Sequence, residues 1–273
     1  MQFIYRFEAM STPCEVQLFS DSKAKADMVA SKILKEAKRL ELKYNYFNSN
    51  SFLAKINLRV EQNLDLETVT LIKRAIKYYQ NTNGIFDITI ATIKDIYKSS
   101  KSLEELEQKR KELLDYVGCK HISIKKRKIY FDNHYTKIDL GGFVKEYAVD
   151  RATIITKKAG IKSALINFGG DIFALGKRVD GSKFKIGIKD PNKPTKIVKF
   201  AEIEDEALTT SASYERYEVI ENKKFSHIIA KKRSSRYKSV TVVSNSCVES
   251  GVYSTALMID DNIETSNKLI VFE

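Results

Sequence analysis

Two Gly-Gly steps, each beside an apolar run and a single acid, lie between residues 137 and 171 and constrain the fold most. The first is Ile138-Asp139-Leu140-Gly141-Gly142-Phe143-Val144-Lys145. Beyond it Tyr147, Ala148, Ala152 and Ile155 recur at helical spacing, which predicts a strand, a tight turn and a helix start. Paired glycines let a ligand approach backbone that a Cβ would obstruct. A helix start offers unpaired N–H groups and a positive dipole end to an anion, and Lys145 adds a formal charge there. The second step, Ala164-Leu165-Ile166-Asn167-Phe168-Gly169-Gly170-Asp171, repeats apolar strand, Gly-Gly and acid. A ligand-facing pair and two ordinary strand exits both remain open on this pattern.

With 273 residues the chain is long enough for a sizeable core, and its 43% hydrophobic content is that of a globular protein. No repeat and no linker suited to a boundary appears, so residues 1–273 are expected to form a single domain. No apolar run approaches the roughly 18 to 20 residues that a membrane span needs. Met1 to Glu8 lack the basic and apolar regions of a signal peptide. A cytoplasmic product is therefore expected, with export and membrane anchoring the alternative if a native leader was trimmed. Cys14, Cys119 and Cys247 show no zinc or disulfide spacing and read as buried thiols. The net charge of +12 favours phosphorylated ligands or acidic partners. The runs Lys125 to Lys128 and Lys231 to Arg233 have no interleaved aromatics and read as solvated turns. No recognition helix or base-stacking module points to nucleic acid.

The elements predict an α+β class. Phe3 to Phe7 and Glu15 to Phe19 read as strands, and Lys23 to Lys43 as a helix with Ala26, Ala30, Ile33, Ala37 and Leu40 on one stripe. Residues 44–51 form an aromatic and polar loop, open to reading as a flavin or base platform or as a plain loop. Asp65 caps a helix ending at Asn83-Gly84, and Ser102 with Glu105 forms a capping box for a charged helix reaching Leu114. His121 to Phe131 reads as a hairpin. Further strands are expected at 183–188, 215–220, 224–229, 239–243 and 268–272, with a helix at 249–258.

No Ser-His-Asp or Cys-His order can be assembled, and His121, His134 and His227 read as structural. Neither common nucleotide-binding glycine loop is present. What remains is two Gly-Gly steps, a lysine at a helix start and scattered acids, which together point to a phosphate-rich ligand near a divalent cation.

Motifs along nearly the whole chain resemble the FAD:protein FMN transferases of the thiamine-biosynthesis-lipoprotein (ApbE) family. In family order they are Ala9-Met10-Ser11-Thr12, the segment Tyr46 to Asn57, Gly84-Ile85-Phe86-Asp87-Ile88-Thr89, and Asp139 to Lys145 continuing into Tyr147-Ala148-Val149-Asp150. Then follow Ile166 to Asp171, Thr210 to Arg216, His227-Ile228-Ile229 and Cys247-Val248-Glu249 with Ser254-Thr255-Ala256-Leu257. The resemblance implies a T-fold-related α+β fold with mixed or antiparallel sheets, packed helices and FAD between its halves. It places Met10, Tyr46, Phe86, Asp87, Asp139, Lys145 and Ile228 against FAD. It gives Mg²⁺ the Gly142 carbonyl and Thr255, and makes the partner an acceptor flavoprotein whose threonine takes FMN as AMP leaves. No catalytic side chain is assigned.

Three positions depart from the family pattern. Gly251 stands where the family has its magnesium aspartate, Glu146 replaces the glycine after the lysine, and Ala230-Lys231 replaces an Asp-Pro. A hard cation that loses its carboxylate binds more weakly. Glu146 and Glu249 are the nearby acids that could substitute, and a flavin-binding protein without transfer activity is the alternative function. Gly251→Asp is expected to restore cation binding.

Overall fold

Alternation of inward and outward side chains builds the amino-terminal hairpin. In β1 (Gln2–Ala9) and β2 (Thr12–Phe19) every second residue turns inward, burying Cys14, Val16 and Leu18. The strands pair antiparallel and close through Met10 and Ser11, both at positive φ. The computed structural model describes residues 1–212, 217–226, 228–230 and 234–273.

After the hairpin come α1 (Lys23–Tyr44), α2 (Phe52–Asn57), α3 (Leu66–Asn81), α4 (Ala91–Lys94), α5 (Ile96–Ser99) and α6 (Leu103–Leu113). A second hairpin, β3 (Ile122–Lys125) and β4 (Lys128–Phe131), leads to α7 (Gly141–Lys158). Five strands follow: β5 (Ser163–Phe168), β6 (Asp171–Leu175), β7 (Phe184–Asp190), β8 (Lys193–Ile203) and β9 (Glu206–Ala212). The chain closes with β10 (Tyr217–Ile220), β11 (Lys223–Ser226), β12 (Ser239–Ser244), α8 (Cys247–Leu257) and β13 (Lys268–Phe272).

The main sheet has seven strands in the order β1-β2-β5-β6-β9-β12-β13, and every neighbouring pair is antiparallel. Helices α7 and α8 pack on one face of it, with α1 against α7. The β7–β8 hairpin covers part of the other. Strand β6 is consequently buried along its whole length. Its Phe173 and Leu175 join the larger core on the helix side, while Ile172 and Ala174 join a second core with Phe184, Ile186 and Ile188. Burial on both faces explains why β6 reads as a continuous apolar run rather than an alternating one.

Most expected elements form at or near the expected residues, and α3 and α6 begin at the expected caps. Asp65 Oδ1 accepts from Thr68 N at 2.8 Å, and Ser102 Oγ accepts from Glu105 N at 3.1 Å. The return bond of Glu105 goes to Lys101 N rather than Ser102 N. All three cysteines are buried free thiols. His121 is held by Asp132 and the Asp115 carbonyl, in keeping with a structural role. The Lys125 to Lys128 run is the β3–β4 turn, with Lys126 and Arg127 at positive φ.

Three expectations change. The aromatic loop ends at Ser51 as expected, but the short helix α2 that follows, capped by Ser51 accepting from Ala54 N, was not anticipated. Strands β6, β8 and β9 were not anticipated; β8 is mostly exposed and carries little alternation. The segment before α7 is not a strand, whereas the expected turn at the glycine step is present: Gly142, at φ −88 and ψ 20, departs from helical geometry and kinks the start of α7. Ile138 has no sheet neighbour because the Asn57 amide takes both its backbone groups, accepting from Ile138 N at 2.8 Å and donating to Ile138 O at 2.9 Å. Strand β11 ends at Ser226, so the strand expected to 229 is not continued at 228–229, while residues 215–216, 227 and the run Lys231 to Arg233 lie outside the described residues.

Candidate functional site

The start of α7 is placed by the residues just before it. Asp139 N donates to Ile88 O at 2.8 Å, and its Oδ1 accepts from Gly141 N at 2.8 Å. The acid thereby caps the glycine step, taking one of the helix-end N–H groups. Its other oxygen is ion-paired with Lys94. Lys94 also lies 5.0 Å above the Tyr46 ring and 4.8 Å above the exposed Phe47 ring. Tyr46 Oη donates to Asp95 Oδ2 at 2.9 Å, and burial followed by Asp95 pushes its phenol pKa up, so it stays a neutral donor. Tyr46 and Asp139, far apart in sequence, thus share one lysine.

Phe86 and Asp87 form the floor beside them. Phe86 is buried, and its ring centroid lies 6.1 Å from that of Phe143 on α7. Asp87 Oδ1 accepts from Thr89 N at 2.8 Å and Thr89 Oγ1 at 2.6 Å, while Thr89 Oγ1 accepts from Gly118 N at 2.6 Å. Met10, in the β1–β2 turn, donates its N–H to Glu41 Oε1 at 2.7 Å. Met10, Tyr46 and Ile228 all pack, half-buried, against the larger core.

The second Gly-Gly step is a tight β5–β6 turn with both glycines at positive φ. A Cβ on Gly169 would stand 2.0 Å from Thr12 Oγ1, so only glycine lets the Ala9 to Thr12 turn dock here. The turn delivers Asp171 to the sheet interior, where Oδ2 lies 2.6 Å from Lys145 Nζ as a close ion pair. The two Gly-Gly motifs are therefore joined by charge. Burial is the largest influence on Lys145 and lowers its pKa, but Asp171 and Glu146 outweigh it and raise the net value.

Glu146 is 6% exposed, and its Oε2 has no hydrogen-bond partner among the described residues. It faces Gly251 on α8. A Cβ added to Gly251 would lie 2.6 Å from Glu146 Cγ, 3.1 Å from Cδ and 3.2 Å from Oε1. Glu146 therefore fills the volume that a side chain at position 251 would need. This contradicts the expectation that Gly251→Asp simply restores a ligand, because a new Cβ meets the inner part of the glutamate rather than its mobile end. Glu249 points elsewhere, its Oε1 accepting from Asn267 Nδ2 at 3.4 Å.

Thr255 stands one helical turn beyond Gly251, its Oγ1 3.2 Å from Ser211 Oγ. Gly142 is exposed, and open space surrounds its Cβ position. Asp150 ties α7 to α8 by accepting from Cys247 N at 2.7 Å and Val248 N at 3.2 Å. Burial pushes the Glu146 and Asp171 carboxyls up, more than their shared neighbour Lys145 lowers them. Two buried acids and one lysine leave surplus negative charge, so a proton or a cation is required. Among the described residues no three His, Cys, Asp or Glu side chains form a metal cage. A buried carboxylate oxygen without a partner is the kind of donor a hard cation takes.

The expected residues fall into two adjoining groups. Tyr46, Phe86, Asp87 and Asp139 gather before α7, while Lys145 lies along it with Gly142 at its start and Thr255 on α8. Met10 lies in the β1–β2 turn, beyond which Pro13 O accepts from Gly169 N at 3.0 Å and ties β2 to the β5–β6 turn. Lys94 and Asp95 were not anticipated, since nothing in their spacing marks them, and Asn57 closed a quoted motif segment without a role assigned to it. Asp171 was visible in its motif, but its lysine partner was not. Residues 213–216 and His227, parts of two quoted motifs, lie outside the described residues.

Similarities to known proteins follow this geometry. The chain is 27% identical over 206 residues to the FAD:protein FMN transferase of Vibrio cholerae, an alignment covering 71% of this chain and 60% of that protein. It is 26% identical over 230 residues to the corresponding Buchnera aphidicola protein, covering 78% and 67%. Its fold matches the ApbE protein of Thermotoga maritima with a TM-score of 0.85 at 27% identity, over 95% of this chain and 87% of that one. The Vibrio cholerae flavin transferase ApbE superposes with a TM-score of 0.80 at 21% identity, over 99% and 97%. The family model described as ApbE matches residues 10–270, and the chain belongs to the ApbE family.

Proposed function

We propose that this chain is an Mg²⁺-dependent FAD:protein FMN transferase formed as a single domain over residues 1–273. It moves FMN from FAD to a threonine of an acceptor flavoprotein. The threonine Oγ attacks the FMN phosphorus, a phosphoester bond forms, and the phosphoanhydride bond to AMP breaks. AMP leaves with the electron pair, and the hydroxyl proton goes to solvent or a base not assigned to any side chain. The relatives carry this activity in their names, and the alignment with the first covers 60% of that protein.

The observation that carries the reading is the surplus acid beside Lys145, beneath the exposed Gly141-Gly142 helix start. A lysine and a helix N-terminus suit a pyrophosphate, and the surplus acid suits a divalent cation. FAD would lie along Met10, Tyr46, Phe86, Asp87, Asp139, Lys145 and Ile228. Tyr46 and Phe47 offer ring faces, and Lys94 and Lys145 offer positive charge. Mg²⁺ would be held by the Gly142 carbonyl and Thr255, and supplies neutralisation of charge on the pyrophosphate. The work of the protein is then positioning: Asp139 and Asn57 hold the helix start, and Asp171 holds Lys145 in place.

A flavin-binding protein without transfer was the second reading, and it rested on the missing carboxylate at position 251. Glu146 puts a carboxylate against that position, which removes its ground. Among the described residues no helix is long and apolar enough to cross a membrane.

Incubation with FAD, Mg²⁺ and an acceptor protein that the Vibrio cholerae enzyme modifies tests the proposal. Intact mass should show one added FMN group, with one AMP released per acceptor. An acceptor modified by the reference enzyme yet untouched by this chain would overturn it.

A further inference from the structure

We infer that Glu146 is the carboxylate ligand of the divalent cation, so that the acid has moved from α8 to α7 while a glycine has moved the other way. The inference rests on the transferase reading above and assigns a residue within that site.

Three observations carry it. Glu146 is buried to 6% exposure and its Oε2 has no partner among the described residues, an unusual state for a carboxylate unless a ligand completes it. Nearby Asp171 is matched by Lys145 at 2.6 Å, so Glu146 is the acid left over. The third is spatial. A Cβ at Gly251 falls 2.6 Å from Glu146 Cγ and 3.1 Å from Cδ. The carboxyl carbon of an aspartate at 251 would lie one further C–C bond away, ~1.5 Å. That places it in the volume now held by the Glu146 carboxyl. Two routes, one from each helix, lead a carboxylate to the same point, and they exclude each other sterically. Glu249, the other acid close in sequence, is taken by Asn267.

The exchange also explains why neither position stands alone. With an acid at 251, position 146 must be small, and with Glu at 146, position 251 must be glycine. Thr255 keeps its place one turn along α8 in either arrangement.

The test uses Mn²⁺ as probe, titrated by electron paramagnetic resonance into FAD-saturated protein, with FAD affinity measured separately in EDTA by flavin fluorescence. The variants are Glu146→Gln, Glu249→Gln and the double exchange Glu146→Gly with Gly251→Asp. Wild type and Glu249→Gln should bind Mn²⁺ alike. Glu146→Gln should bind at least ~10-fold more weakly, with FAD affinity in EDTA unchanged and thermal stability no lower. The double exchange should regain most of the lost affinity. Equal Mn²⁺ affinity in wild type and Glu146→Gln would overturn the assignment, as would FAD-loaded wild type that takes up no Mn²⁺. Failure of wild type to bind FAD in EDTA would sink the transferase reading and this assignment together.

Discussion

Lys145 Nζ lies 2.6 Å from Asp171 Oδ2, so the lysine following one Gly-Gly step is neutralised by the acid following the other. Lys145→Ala therefore does more than remove a charge from a ligand site. It leaves Asp171 and Glu146 buried without a counter-ion, which should cost about 2–4 kcal/mol. Adding Asp171→Asn should recover part of this. Urea midpoints of the two variants check it, and equal stability of Lys145→Ala and wild type would show that the pair is not coupled.

Gly251 and Glu146 should be strongly non-additive. Gly251→Ala in the wild-type chain drives a methyl into Glu146 Cγ and should cost roughly 1–3 kcal/mol. In a Glu146→Gly background the same change meets no side chain and should be neutral or stabilising, since alanine suits a helix better. A double-mutant cycle measures the coupling, expected above ~1 kcal/mol. Additive effects would mean that the two positions do not share space.

Gly169→Ala should be severe for two separable reasons. The residue has φ +63, and its Cβ would stand 2.0 Å from Thr12 Oγ1. The expected loss is roughly 3 kcal/mol, and Thr12→Ala should relieve the clash but leave about 1 kcal/mol of backbone strain. Denaturation of the single and double variants separates the parts.

Glu67 supplies a pH-dependent clamp between α1 and α3. Burial raises its pKa, but hydrogen bonds from Arg39 and Lys43 outweigh burial and lower it to about 2. Its folded value is thus below the unfolded one. The stability it adds is present above about pH 4.5 and is lost as pH falls through about 2. Glu67→Gln should cost about 1–2 kcal/mol at pH 7, discounted for partial exposure. The difference between variant and wild type should shrink steadily below pH 4.5. A difference independent of pH would assign the effect to packing.

Legibility in the sequence followed how local the cause was. The caps at Asp65 and Ser102, the stripe of α1 and the end of β5 at its glycine step depend on neighbouring residues and were readable, whereas β6 beyond that step was not. The helix start at Gly141 was readable too, but not the strand expected before it. There the backbone of Ile138 is satisfied by the side chain of Asn57, and no periodic pattern encodes such a bond across 81 positions. Lys94 beside Asp139 and Asp171 beside Lys145 are likewise products of tertiary folding. Gly251 looked like a loss when read alone, because the compensating Glu146 stands on another helix.

A crystal structure with FAD and Mn²⁺, using the anomalous signal of manganese, tests the central claim most directly. The expected map has FAD along Tyr46, Asp139 and Lys145, with one manganese peak at coordination distance, about 2.0–2.2 Å, from a Glu146 oxygen, the Gly142 carbonyl and Thr255 Oγ1. FAD bound elsewhere, or a peak held by Glu249 with Glu146 left uncoordinated, would contradict it.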